Sequence, residues 1–268
     1  MLKKAFIYSS LLILSNISFA DELLDELSAA KSAYDRNDLT AAFMLYEKLA
    51  EQGDTTAENN IAYMYYNGEG VPQDYKQAFD IYKKLSEAGH VNAQNNLAAM
   101  YAQGLGVTQD YKQTVYWYTK AAEQGDVEAQ FNLGYMYKKE HGVAQDYEQA
   151  AHWYQKAAEQ DDIDAQVIIA FMYHQGQGVE QDFTQAFYWY EKAAEKGNAK
   201  AQYNTAVMYQ EGKGILQNYV KSYQWFYISF ENSFSVSKAA RESIKKRMTQ
   251  EQIELAQKSA KDWMETHR

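Results

Sequence analysis

The chain has 268 residues, with 26 Lys and Arg against 36 Asp and Glu, a formal net charge of −10 and no cysteine. A field of that sign repels nucleic acid and anionic lipid. Without a thiol there is neither a disulfide framework nor a cysteine-linked lipid anchor. Length alone allows two domains, but a 36-residue period running through most of the chain predicts one elongated array.

Residues 1–20 stand outside the period. Lys3 and Lys4 precede an apolar run from Ala5 to Leu14, and Ser18-Phe19-Ala20 offers small residues where a signal peptidase reads. The run is too short to span about 30 Å of hydrocarbon, so the pattern predicts a secretory signal peptide cut before Asp21. Cleavage removes Lys3 and Lys4 and no acid, leaving 24 basic against 36 acidic residues and a net charge of −12. The expected address is the periplasm or the exterior, with no stable membrane insertion after cleavage.

Residues 21–56 are expected to form a divergent capping hairpin, because Asp38, Ala42, Tyr46 and Gly53 stand 36 before Asp74, Ala78, Tyr82 and Gly89. Five repeats of 36 residues follow over 57–232. In each, a first helix is read from spacings such as Ala57, Ile61, Met64 and Tyr65, which share one helical face. It stops where Gly68 and Gly70 supply positive φ angles. Asp74 with Gln77 three residues on predicts a capping box opening the second helix, repeated at Asp110, Asp146 and Asp182. The second helix carries Ala78, Ile81, Tyr82 and Leu85 inward, with Trp117, Trp153, Trp189 and Trp225 at the Ile81 place, and closes at Gly89, Gly125 and Gly197. Recurrence at one packing position marks these tryptophans as core. Small residues at Ala62, Ala98, Gly134, Ala170 and Ala206 let neighbouring helices approach. The third repeat departs from the pattern, with Glu140 and Asp161 at two turn glycines, which predicts local distortion. Residues 233–268 are read as capping helices, the last opened by Thr249-Gln250-Glu251-Gln252 and facing the array through Ile253, Ala256, Ala260 and Trp263. The fold class is therefore all-α, an α/α superhelical solenoid of tetratricopeptide-like hairpins.

The repeat A-x-x-x-[IL]-[AG]-x-M-Y-x-x-G-x-G-V-x-Q-D-Y-x-Q-A-x-x-W-Y-x-K-A-A-E-x-G resembles the Sel-one-like repeat family over about residues 22–230. The resemblance implies first helices lining a concave wall, and a role as an adaptor or scaffold in bacterial envelope, signalling or host-interaction pathways. Some cysteine-rich secreted members are associated with penicillin binding or weak β-lactam hydrolysis, and the absence of cysteine sets this chain apart from them.

Positions that recur serve folding; inner-face positions that do not recur are free for recognition. On that reading the partner-binding residues are Tyr63, Tyr66, Asn95, Phe131, Tyr135, Lys138, Phe171, His174 and Tyr203, with Phe131, Tyr135 and Phe171 as exposed aromatic anchors for a peptide or helix. The five histidines form no i, i+4 pair, Asp161, Asp162 and Asp164 lack the rest of a calcium loop, and no serine sits in a nucleophile elbow. Asp162 is instead read as a helix N-cap. No catalytic residue, metal site or cofactor is predicted, and the expected partner is a protein or peptide. The alternative is a small-molecule-binding or hydrolytic protein active on cell wall or β-lactams.

Overall fold

The computed structural model describes residues 24–267, so the expected signal segment lies outside the described residues. Among them there are fourteen helices and no strand. Helix α1 covers 24–35 and pairs with α2 (Leu39–Glu51). The next hairpins are α3 (Thr55–Asn67) with α4 (Tyr75–Glu87), and α5 (Val91–Gln103) with α6 (Tyr111–Glu123). They are followed by α7 (Val127–Lys139) with α8 (Tyr147–Glu159), α9 (Ile163–Gln175) with α10 (Phe183–Glu195), and α11 (Ala199–Glu211) with α12 (Tyr219–Glu231). Helices α13 (Ser237–Lys245) and α14 (Gln250–Thr266) end the chain. The described residues pack as two compact units, one ending at Asp126 and the other beginning at Val127, a border that coincides with a repeat boundary.

Each first helix ends as its glycines require. Gly68, Gly104, Gly176 and Gly212 are left-handed C-caps with φ between 68° and 74°. At the equivalent turn Glu140 adopts φ 60°, and Asp161 adopts φ 71° where other repeats have Gly125 or Gly197. At Asp161 the turn keeps its hydrogen bonding: the Asp161 N–H bonds to Ala158 as the Gly125 N–H does to Ala122, and its carboxylate is held by Lys196 at 2.6 Å. That hydrogen bond, with the Lys196 charge, keeps the Asp161 carboxyl below its ordinary range.

The second helices are capped, but not by the expected box. Asp74 accepts from the N–H groups of Lys76 and Gln77, and Asp110, Asp146 and Asp182 repeat the arrangement. The reciprocal half is missing because the Asp74 N–H already donates to the Tyr65 carbonyl at 2.9 Å, as Asp110 does to Tyr101, Asp146 to Tyr137 and Asp182 to Tyr173. The cap residue thus ties the loop back to its own first helix. A complete box forms at Thr249 and Gln252, which opens α14. Asp162 caps α9 through a 2.6 Å bond from the Ala165 N–H, as read from the sequence.

Stacking depends on the second loop glycine. A Cβ on Gly70 would stand 2.2 Å from the Leu39 carbonyl oxygen, one on Gly106 2.2 Å from that of Tyr75, and one on Gly178 1.9 Å from that of Tyr147. The loop therefore lies directly on the first turn of the preceding hairpin's second helix. Trp117, Trp189 and Trp225 are buried in the resulting layers, with Trp153 partly so. Helix α14 covers α12 with Ile253, Ala256 and Ala260 buried and Trp263 set edge-on to Trp225 at 5.5 Å.

A buried amide series, absent from the sequence reading, links repeats at Gln94, Gln130, Gln166 and Gln202. Gln94 donates to the Ser86 carbonyl, Gln166 to Ala158 and Gln202 to Ala194, each closing the end of the preceding second helix. Gln124 donates to Gln94 Oε1 at 2.8 Å, Gln160 to Gln130 at 2.9 Å and Asn232 to Gln202 at 3.0 Å. Residue 196, the equivalent donor for Gln166, is a lysine bound to Asp161, and Gln166 Oε1 is buried without a partner.

Two outcomes follow for equilibrium unfolding in urea. Gly178→Ala will destabilise the protein by about 3 kcal/mol, whereas Gly197→Ala, also at positive φ but with nothing within 4 Å, will cost about 1 kcal/mol. Lys196→Gln will stabilise by about 1 kcal/mol by supplying the missing donor, since the ion pair it removes is exposed and screened.

Candidate functional site

Within each unit the first helices present three series of side chains, and the structure separates them sharply. At the first series Asn59 and Asn95 are buried, at 9% and 6% exposure, as is Val167. Phe131 and Tyr203 are half-buried there: Phe131 lies edge-on to Tyr154 at 5.5 Å, and Tyr203 contacts Phe226 and Phe234 at 5.3 and 5.4 Å. The second series is the exposed one, with Tyr63 at 45%, Tyr135 at 42% and Phe171 at 45%. Tyr66, Lys138 and His174, in the third series, are intermediate. Each presents its carbonyl to a loop glutamine, Gln73, Gln145 or Gln181, which pins the end of the helix.

The residues expected to act together therefore divide by environment. Asn95 is enclosed in helix packing and offers no exposed side chain. Phe131 is a packing residue as much as a surface one, because its ring meets Tyr154, which also packs beside Gly134. A Cβ on Gly134 would stand 3.1 Å from the Tyr154 ring. Burial, with the Tyr135 hydroxyl nearby, raises the Tyr154 pKa. Burial and the neighbouring Lys139 and Lys200 lower that of Lys138, and burial with Lys213 lowers that of His174. His174 also meets the Phe183 ring at 5.2 Å. A face of half-exposed rings suits apolar and aromatic contacts.

Each unit has a cavity beside its first helices, at equivalent repeat positions. In the second unit, about 220 Å³ is bounded by Phe171 and His174 of α9, Tyr190 of α10, and Tyr203, Asn204 and Val207 of α11. In the first unit, about 400 Å³ is bounded by Lys31, Tyr34 and Asp35 of α1, Tyr46 of α2, and Asn59, Asn60 and Tyr63 of α3. Tyr46 and Tyr190, Asn59 and Tyr203, Asn60 and Asn204, and Tyr63 and Val207 occupy equivalent repeat positions. The sequence reading missed Lys31 and Asp35 because the α1–α2 turn is residues 36–38 where α9–α10 has 176–182, so α1 falls out of the 36-residue phase. The equivalence of Lys31 and Phe171 emerges only from packing.

The Asn60 side chain lies beside the Tyr46 hydroxyl. Asn59 Oδ1, like Asn95 Oδ1, is buried without a hydrogen-bond partner, a condition that costs about 1–3 kcal/mol when nothing fills it. Tyr34 donates to Glu69 at 2.6 Å, and that bond, with burial, raises its pKa. Among the described residues no three His, Cys, Asp or Glu side chains gather closely enough to hold a metal ion, and no helix is long and apolar enough to cross a membrane.

Stacked hairpins of two 13-residue helices with an aromatic first-helix face define a helical-repeat scaffold. The Sel1 repeat pattern matches residues 33–54, 55–90, 91–126, 127–162, 163–198 and 199–233, and the chain belongs to the Sel1 repeat family. It is similar to a protective antigen of uropathogenic Escherichia coli strains displaying an SLR fold, with 35% identity and a TM-score of 0.80 over 95% of this chain and 55% of that one. It therefore spans about half the length of that antigen. It is also similar to a Sel1 repeat protein from Oxalobacter formigenes, with 31% identity and a TM-score of 0.71 over 88% of this chain and 99% of the other. No curated protein matches the sequence. Sel1 repeats generally mediate protein–protein interaction, and the family typically consists of non-catalytic scaffolds.

The division of the aromatic residues has a measurable consequence. Phe131→Ala will lower stability by about 2 kcal/mol through its lost contact with Tyr154, whereas Tyr135→Ala and Phe171→Ala will each stay within about 0.5 kcal/mol of the parent in urea unfolding.

Proposed function

We propose that this protein is a non-enzymatic adaptor of the bacterial envelope, exported by the segment 1–20, which holds a peptide or helix of a partner protein against its concave first-helix face. The observation that carries this reading is the pair Tyr135 and Phe171, two large rings nearly half exposed at equivalent positions of successive repeats in one unit. Rings held by rigid helices lose little entropy on binding and supply the apolar contact area that dominates interface energetics. Phe171 borders the 220 Å³ cavity, where an apolar side chain of the partner would rest against Tyr203 and Val207. Lys138 and His174 flank the rings in the same unit, and Tyr63 and Tyr66 are the equivalent repeat positions in the first unit. Adaptor action needs differential affinity and shape alone.

The test is capture from an envelope extract with the protein beside its Tyr135→Ala/Phe171→Ala variant, read by mass spectrometry. A protein retained by the parent and lost by the equally helical variant is the expected result. Equal retention by both, or by neither, sinks the reading of this face.

A further inference from the structure

The larger cavity has a chemistry that the adaptor reading leaves unused. At about 400 Å³ it falls within the range of small-ligand sites, about 300–1,000 Å³, while its 220 Å³ counterpart falls below it. The difference has a local cause: the place filled in the second unit by the Tyr203 ring holds the short Asn59 in the first. Asn59 is more than nine-tenths buried, lines the cavity, and keeps an unpartnered Oδ1, an acceptor in want of an N–H.

The rim supplies the charges. Lys31 and Asp35 stand one helical turn apart on α1, a spacing at which opposite charges ordinarily meet. Neither is in an ion pair among the described residues. The order Lys before Asp is the less favourable one for such a pair, which leaves both free for a ligand. Asp35 and Lys31 both line the cavity, with Tyr46.

An anion site, a cation site one turn away and a hydrogen-bond acceptor together specify the ligand. We propose that the cavity binds a zwitterionic dipeptide, with its ammonium group at Asp35, its carboxylate at Lys31, its peptide N–H donating to Asn59 Oδ1 and its apolar side chains against Tyr34 and Tyr63. Two extended residues reach about 7 Å, close to the separation of side chains one turn apart. A free amino acid is shorter and has no peptide N–H, and a tripeptide overruns the pair. This site is independent of the protein-binding face proposed for the second unit, and each stands or falls without the other.

Isothermal titration calorimetry of the purified protein with Ala-Leu, Leu-Ala and Phe-Ala tests the assignment. At least one is expected to bind with one-to-one stoichiometry, about tenfold or more tighter than leucine, trialanine or the same dipeptide acetylated and amidated at its ends. Asn59→Tyr, which copies the ring tolerated at Tyr203, should abolish the heat with the melting transition unchanged. Should that variant unfold, the exposed changes Lys31→Gln and Asp35→Asn carry the test, each expected to weaken binding about tenfold. No heat with any of the three dipeptides, equal binding of the capped form, or binding that survives both charge changes overturns the proposal.

Discussion

A side chain at the second loop glycine would collide with a backbone carbonyl of the preceding hairpin, and the rest of the structure depends on that close approach. With Cβ absent at Gly70, Gly106, Gly178 and Gly214, each loop settles on the first turn of an earlier second helix, at Leu39, Tyr75, Tyr147 and Phe183. The positive φ that the turn demands and the contact that stacking demands fall on one residue, so no other amino acid satisfies both. Around it the cap aspartate spends its N–H on a tyrosine carbonyl of the first helix, and a loop glutamine pins the helix end. The loop is thereby rigid, and the first helix it terminates is delivered at a defined height against its neighbour.

Polar groups reinforce the same joint. The buried glutamines at 94, 166 and 202 each close a preceding helix end through the amide N–H, and those at 94, 130 and 202 accept from the end of the second helix of their own repeat. Buried amides of this kind tolerate little displacement, because an unmet group costs more than a met one contributes. Where Lys196 replaces the donor, the lysine instead holds the left-handed Asp161, so one irregularity of the third repeat is compensated by another in the fourth.

Periodic residues thus build the joint, and aperiodic ones give each joint its chemistry. Tyr46 with Asn60, and Tyr190 with Asn204, form equivalent floors, yet one cavity is walled by Lys31, Asp35 and Asn59 and the other by Phe171, His174 and Tyr203. A polar niche and an aromatic face on one scaffold follow from a handful of substitutions that leave stacking untouched.

Much of this was legible in the residues. The helix pairs, the glycine stops, the aspartate caps, the buried tryptophans and the closing face of α14 all rest on spacings within a few turns, where local sterics and hydrogen bonds decide. The missing half of the capping box was not legible, since the Asp74 N–H is claimed by Tyr65 through a loop whose path no spacing reveals. Nor was the burial of Asn95 or the half-burial of Phe131, because exposure is set by rings such as Tyr154 on a different helix. The sequence by itself determined an all-α array of 36-residue hairpins and the residues that close each turn. Only the tertiary structure decided which first-helix side chains reach solvent and which cavity lies beside Lys31, for those depend on contacts between elements whose phase a short turn at 36–38 had shifted.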